Sequence, residues 1–67
     1  MVVIGLRIMY LRKKAHMSQA ELGRRLNISA SAVGMYEQGR RTPGIDIIIR
    51  LAEIFSVSTD TILLGWE

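Results

Sequence analysis

The sequence predicts an all-α fold of five short helices packed round one core. Three observations carry that prediction. Apolar residues recur at steps of three and four along most of the chain. Serines stand just before the second, third and last of these runs, where helix caps belong. No stretch alternates apolar with polar residues as a half-buried strand does.

The first helix is expected over residues 5–15, with Ile4, Ile8, Leu11 and Ala15 on one stripe and Arg7, Lys13 and Lys14 on other faces. It should end near His16. Ser18-Gln19-Ala20-Glu21 has the pattern of a capping box, in which the serine oxygen accepts the third amide of the helix and the glutamate returns to the cap amide. Leu22 and Leu26 form the inner face of this second helix, Met17 joins the core, and Met9 reads as a helix-surface residue. Asn27 stops the helix because it tolerates left-handed backbone angles. Ser29 caps a third helix that runs to Glu37 with Ala32, Val33 and Tyr36 turned inward, and Gly39 closes it. Two glycines and a proline make residues 39–44 a loop. A fourth helix follows from Ile45 with Ile45, Ile48, Leu51, Ala52 and Phe55 on its stripe and Ile47 and Ile49 beside it. Ser58 caps a last helix carrying Ile62 and Leu63, and Gly65 terminates it.

Sixty-seven residues suit a single domain spanning 1–67, because a chain this short buries only ~60% of the surface its unfolded form exposes. With no cysteine to supply a disulfide or a thiolate metal site, the 49% apolar content has to hold the fold. The apolar run at residues 1–6 is broken by Arg7 before it reaches signal-peptide or membrane-span length. The chain therefore reads as soluble and cytoplasmic, with no membrane partner. Its charge is divided. Residues 1–41 carry eight cationic side chains against Glu21 and Glu37, a net +6, whereas residues 42–67 carry Arg50 against Asp46, Glu53, Asp60 and Glu67, a net −3. Such a split suits a surface that faces a polyanion, and it equally suits a solvated, solubilising face.

The second and third helices, over residues 19–38, have the composition of a helix-turn-helix. Ala20 and Gly23 keep the second helix slim, and Asn27 supplies the turn. Gly23 lowers helix stability by ~1 kcal/mol relative to alanine, so its presence signals a close backbone approach. An ordinary three-helix corner uses the same devices, and spacing alone leaves both readings open.

Several patterns occur in order along the chain: Ile8-x-x-Leu11-Arg12, Met17-Ser18-Gln19-x-Glu21-Leu22, Tyr36-Glu37-x-Gly39-Arg40-Arg41-x-Pro43 and Leu51-Ala52-x-x-Phe55-x-Val57. Taken jointly over about residues 5–65, they resemble the phage repressor and Cro class, the XRE-type helix-turn-helix family. The resemblance implies a compact five-helix domain of the phage repressor type. It implies a third helix laid in the major groove of a double-stranded operator, a two-fold homodimer, and a role as transcriptional repressor or regulator. It implies that Gln19 grips a phosphate or an adjacent base edge, and that Arg40 and Arg41 run along the backbone. It also implies that Arg12 pairs with Glu37, an ion pair expected to be partly buried between the first helix and the end of the third, while the guanidinium lies near phosphate. On that alignment the recognition surface is Ser29, Ala30, Ser31, Gly34 and Met35, the residues read as facing away from Val33 and Tyr36. None of the four at 30, 31, 34 and 35 is an arginine, asparagine or glutamine, so direct base readout should be thin. DNA shape and backbone contacts then carry much of the affinity.

Catalysis is not expected, since one histidine, no cysteine and scattered carboxylates make neither a triad nor a metal site. No cofactor and no small-molecule substrate are implied. His16 reads as a solvated residue at the end of the first helix. The strongest rival reading is a protein-interaction module, antitoxin-like or a co-regulator, that keeps this fold with weak DNA readout. Leu64 and Trp66, with the neighbouring Ile62, are the expected self-association surface; the alternative for Trp66 is a terminal cap folded over the core.

Overall fold

The chain, seen here as a computed structural model, is described over residues 4–65. Its helices are α1 (Ile4–Lys14), α2 (Gln19–Leu26), α3 (Ala30–Glu37), α4 (Ile45–Phe55) and α5 (Thr59–Leu64). Local chemistry sets most of their ends. Ser18, Ser29 and Ser58 each adopt extended backbone angles and accept an amide three residues on, from Glu21, Ala32 and Thr61 respectively. Each of these bonds satisfies one of the amides that a helix start leaves without a partner. The glutamate half of the expected capping box is absent, because the Glu21 carboxylate turns outward to Arg24 and Arg25.

The helix exits share one device. His16, Asn27 and Ser56 take positive φ angles of 59°, 61° and 55°, and Gly39 and Gly65 do so at 76° and 77°. At the exit of α1 the Met17 amide donates to the Arg12 carbonyl at 3.1 Å. The Ile28 amide reaches Gly23 at 2.8 Å, Arg40 reaches Met35 at 2.9 Å, and Val57 reaches Ala52 at 3.0 Å. These backward bonds absorb carbonyls that would otherwise be stranded at the helix end, and they reverse the chain within a few residues.

Those reversals fold the helices round Ile8, Leu22, Val33, Ile48, Leu51 and Ile62, all sealed from water, with Leu11, Leu26, Tyr36 and Ala52 closing the cluster. Sequestering an aliphatic side chain of this size contributes ~1.5–3 kcal/mol against leaving it wet. The α2 helix packs on α3, α1 on both α3 and α5, and α4 on α5 and α2. The Arg7 guanidinium ties the two ends together by donating to the Gly65 carbonyl at 3.1 Å. Among the described residues there is no strand, and no helix is long and apolar enough to cross a membrane.

Two placements differ from the periodicity and one from the expected association surface. Ala15 is exposed, because α1 stops at Lys14 and the chain has begun to turn toward His16. Ile45 is 67% exposed. At 3.6 residues per turn it lies about 60° off Ile48, at the overhanging first turn of α4. Ile62, expected on an association surface, is fully buried. In a helix of six residues its phase is set by packing against α1 and α4, and it faces the core rather than a partner.

Candidate nucleic-acid interface

Two glycines let α3 sit where it does. A Cβ on Gly23 would stand 2.7 Å from the Ile28 carbonyl oxygen, so the turn between α2 and α3 closes directly on the α2 backbone. This is the approach that Gly23 signalled in the sequence. A Cβ on Gly5 would stand 2.7 Å from the Glu37 carbonyl oxygen and closer still to that of Tyr36. No sequence pattern marked this second contact, which presses α1 onto the last turn of α3 and holds α3 from behind.

Held this way, α3 buries Val33, Gly34, Tyr36 and Glu37. It exposes Ser31 and Met35, while Ala30 and Ala32 are half-covered. Gln38 is also exposed, at the C-cap of α3, and lies three residues beyond Met35 and seven beyond Ser31 on the same face. It was not singled out from the sequence, although its spacing from Ser31 and Met35 was the available signal. Ser29 keeps its hydroxyl oxygen on the Ala32 amide and remains exposed. Arg40 and Arg41 follow at the α3 exit and are exposed, with the Arg41 guanidinium 5.9 Å from the centre of the Tyr36 ring.

Gly34 corrects the expected recognition surface. It is buried, and the space a side chain would take lies 3.5 Å from Nε2 and 3.6 Å from Oε1 of Gln19. The Gln19 carboxamide therefore covers the glycine. Arg12 is a second correction. It pairs with Glu37 as expected, through Nε to Oε2 at 2.6 Å and Nη2 to Oε1 at 3.1 Å. Its remaining nitrogen, Nη1, donates to the Met17 carbonyl at 2.8 Å. The side chain is only 11% exposed, so the guanidinium is engaged within the fold and does not present itself to a phosphate. Gln19 completes the cluster by donating Nε2 to Glu37 Oε1 at 3.1 Å.

The electrostatics are those of an anion-facing edge. The α2 and α3 N-termini supply free amides and the positive ends of their helix dipoles. Arg40 and Arg41 add exposed cationic charge at the α3 exit, and Lys13 and Lys14 are exposed at the end of α1. Glu21 sits among Arg24 and Arg25, and the hydrogen bond and charge of Arg24 hold its carboxyl below the usual glutamate range. Leu64 is exposed in α5, apart from the α3 face, and Trp66 lies outside the described residues.

Residues 8–62 match the model of a family described as helix-turn-helix. The chain belongs to that helix-turn-helix family. The family is one of DNA-binding transcriptional regulators, not of enzymes. Over 60 residues the chain is 35% identical to the HTH-type transcriptional regulator ImmR of Bacillus subtilis (strain 168), a match covering 90% of this chain and 47% of that protein. Over 57 residues it is 33% identical to the HTH-type transcriptional regulator YobD of the same organism, covering 85% of this chain and 51% of that protein. The chain thus spans about half the length of these two relatives. Among solved structures, the P22 c2 repressor in complex with a synthetic operator superposes with a TM-score of 0.90 at 29% identity, covering 98% of this chain and all of that one. The five-helix arrangement is that of the phage repressor DNA-binding domains.

Proposed function

We propose that this helix-turn-helix chain binds double-stranded DNA as a transcriptional repressor or regulator in the cytoplasm, with α3 in the major groove of an operator and two copies related by a two-fold axis. One observation carries the reading: α3 offers an outer edge of Ser31, Met35 and Gln38 that takes no part in the core, flanked by exposed Arg40 and Arg41. The likeness to a repressor that was captured on its operator supports the same reading. Ser29, Ala30, Ser31 and Met35 meet base edges or phosphates from α3 in this arrangement, with Gln19 beside them. Leu64 and Trp66 are assigned to the contact between copies, and a two-fold pair spaces its recognition helices about 34 Å apart, one turn of the duplex.

One observation favours a protein-interaction module instead: the α3 edge is short of side chains that read bases in bidentate fashion. Binding to random-sequence duplex over a range of salt concentrations separates the two. Phosphate contacts release counterions, so DNA binding gives an affinity that falls steeply and linearly on logarithmic axes. Selection from the same pool should return a symmetric site. No binding at low salt would discard the DNA reading in favour of the interaction module.

A further inference from the structure

We propose that the outer sides of α1 and α5 form one self-complementary face, through which two copies of the chain pair about a two-fold axis lying along the groove between these helices. The inference rests on the two-fold reading above and deepens it by bringing α1 into the contact, in a stated register.

The two helices run side by side and antiparallel. Arg7 reaches the Gly65 carbonyl at one end, and Leu11 and Lys14 share a groove with Ser58 and Thr61 toward the other. On the solvent side of α1, Leu6, Tyr10 and Lys13 fall within about 60° of one another at 3.6 residues per turn. On α5, Asp60 and Leu64 stand four residues apart on one exposed stripe. The joint face is divided along its length. Its apolar end gathers Leu6, Tyr10 and Leu64, which are 57%, 50% and 46% exposed, round the bond from Arg7 to Gly65. Its charged end carries Lys13 and Lys14 on α1 and Asp60 on α5, all exposed. Among the described residues no ion pair joins these three, and the Lys14 ammonium lies 5.9 Å from the centre of the Tyr10 ring. One exposed leucine is ordinary, whereas a group of large apolar side chains rimmed by charge marks an interaction surface.

The charges select the occupant. A partner of a single sign would set like charge against either the lysines or Asp60. A second copy carries both signs, already in complementary places. With the two-fold axis parallel to the helices, α1 of one copy lies over α5 of the other. Lys13 and Lys14 then face the partner's Asp60, while Leu6 and Tyr10 face the partner's Leu64. Each contact occurs twice, as a two-fold interface requires. An axis running across the helices would instead set apolar end against charged end. Gly5 and Arg12, through which α1 holds α3, lie on a different side of α1, so this pairing leaves Ser31, Met35 and Gln38 uncovered.

The test uses the full chain and exchanges charge. Asp60→Lys sets lysine against lysine across the axis, and Lys13→Glu with Lys14→Glu sets glutamate against aspartate. Each variant alone should associate with itself about tenfold or more weakly than the parent, because like charges meet twice in every pair. Mixed in equal amounts, the two should form a heterodimer with an affinity close to the parent's, followed by sedimentation and identified by its mass in native mass spectrometry. Such recovery on mixing also shows that both variants fold. Tyr10→Ser, which alters no charge, should weaken association of an otherwise unaltered chain. Variants that pair with themselves as the parent does would overturn the proposal and leave the two-fold reading intact, with Ile45 and Ile49 of α4 the next exposed apolar pair to vary. Variants that stay monomeric on mixing would overturn it as well. A parent that is monomeric both free and on a full operator would instead remove the two-fold reading beneath it.

Discussion

Arg12 and Glu37 meet through two side-by-side hydrogen bonds inside the fold, with only 11% and 3% of their side chains exposed. Removing one member of a buried pair leaves the other charge without compensation, which costs ~3–5 kcal/mol, against ~0–1 kcal/mol for a pair on the surface. Glu37→Ala should therefore lower the stability of the free protein by an amount in the upper range. A melting temperature equal to that of the parent would show that the pair carries none of the fold.

Gly5 and Gly34 lie in neighbouring helices and should respond oppositely to alanine. At Gly5 the added methyl meets the carbonyls of Tyr36 and Glu37, rigid backbone that has to move. Overpacking of this kind costs ~1–3 kcal/mol and outweighs the gain of up to ~1 kcal/mol in helix propensity. At Gly34 the nearest atoms are those of the Gln19 side chain at 3.5 Å, so the propensity gain should survive. Chemical denaturation of the two variants measures both signs. Equal destabilisation would refute the assignment of Gly5 as the close-packed one.

Arg40→Ala and Arg41→Ala should each reduce the slope of log affinity against log salt by about one, with the ranking of duplex sequences unchanged. Arg41→Ala should also lose a small amount of stability, ~0.5–1 kcal/mol, from its contact with the Tyr36 ring. A change in sequence ranking with the slope intact would move either arginine from the backbone to the bases.

The exposed Leu64 bears on self-association. Leu64→Ser combined with Trp66→Ala should shift the chain toward monomer in sedimentation and cut its preference for a full over a half operator. Persistence of the parent's dimer and of its operator preference would place the contact on another surface.

Glu21 gives a pH signature. Its carboxyl is held low by the Arg24 hydrogen bond and charge, with Arg25 adding to the effect. A depressed acid stabilises the fold above its ordinary range, and that contribution fades as pH falls through the lowered value. Following the carboxyl by NMR, Arg24→Ala should return the midpoint toward the ordinary glutamate value. The midpoint staying low in that variant would show that Arg24 is not the cause.

Features that depend on neighbours in sequence were readable without coordinates. The serine caps and the Asn27 turn involve atoms three to five residues apart, and the close approach at Gly23 lies within the same turn. What escaped depends on distant partners. A helical projection gives the direction of Gly34 but cannot reveal that a side chain fifteen positions earlier lies over it. The pairing of Arg12 with Glu37 was foreseen through family resemblance. Its partial burial was foreseen with it; the loss of the expected phosphate contact was not, because the third acceptor is the carbonyl of Met17, delivered by the left-handed turn at His16. Ile62 was rightly read as inward from its place in the last helix, and only its inclusion in the association surface fails, since a side chain fully sealed in the core has nothing left to offer a partner.

The outer edge of α3 can change its lettering without touching the frame that holds it. Ser31, Met35 and Gln38 have no role in the buried cluster, and substitutions at such positions usually shift stability by less than about 0.5 kcal/mol. A lineage carrying this domain can thus drift from one operator to another by single neutral steps along that edge. Gln19 is the exception. It is tethered to Glu37 and through it to Arg12, so a new preference at its position must either respect that tether or disturb a buried pair.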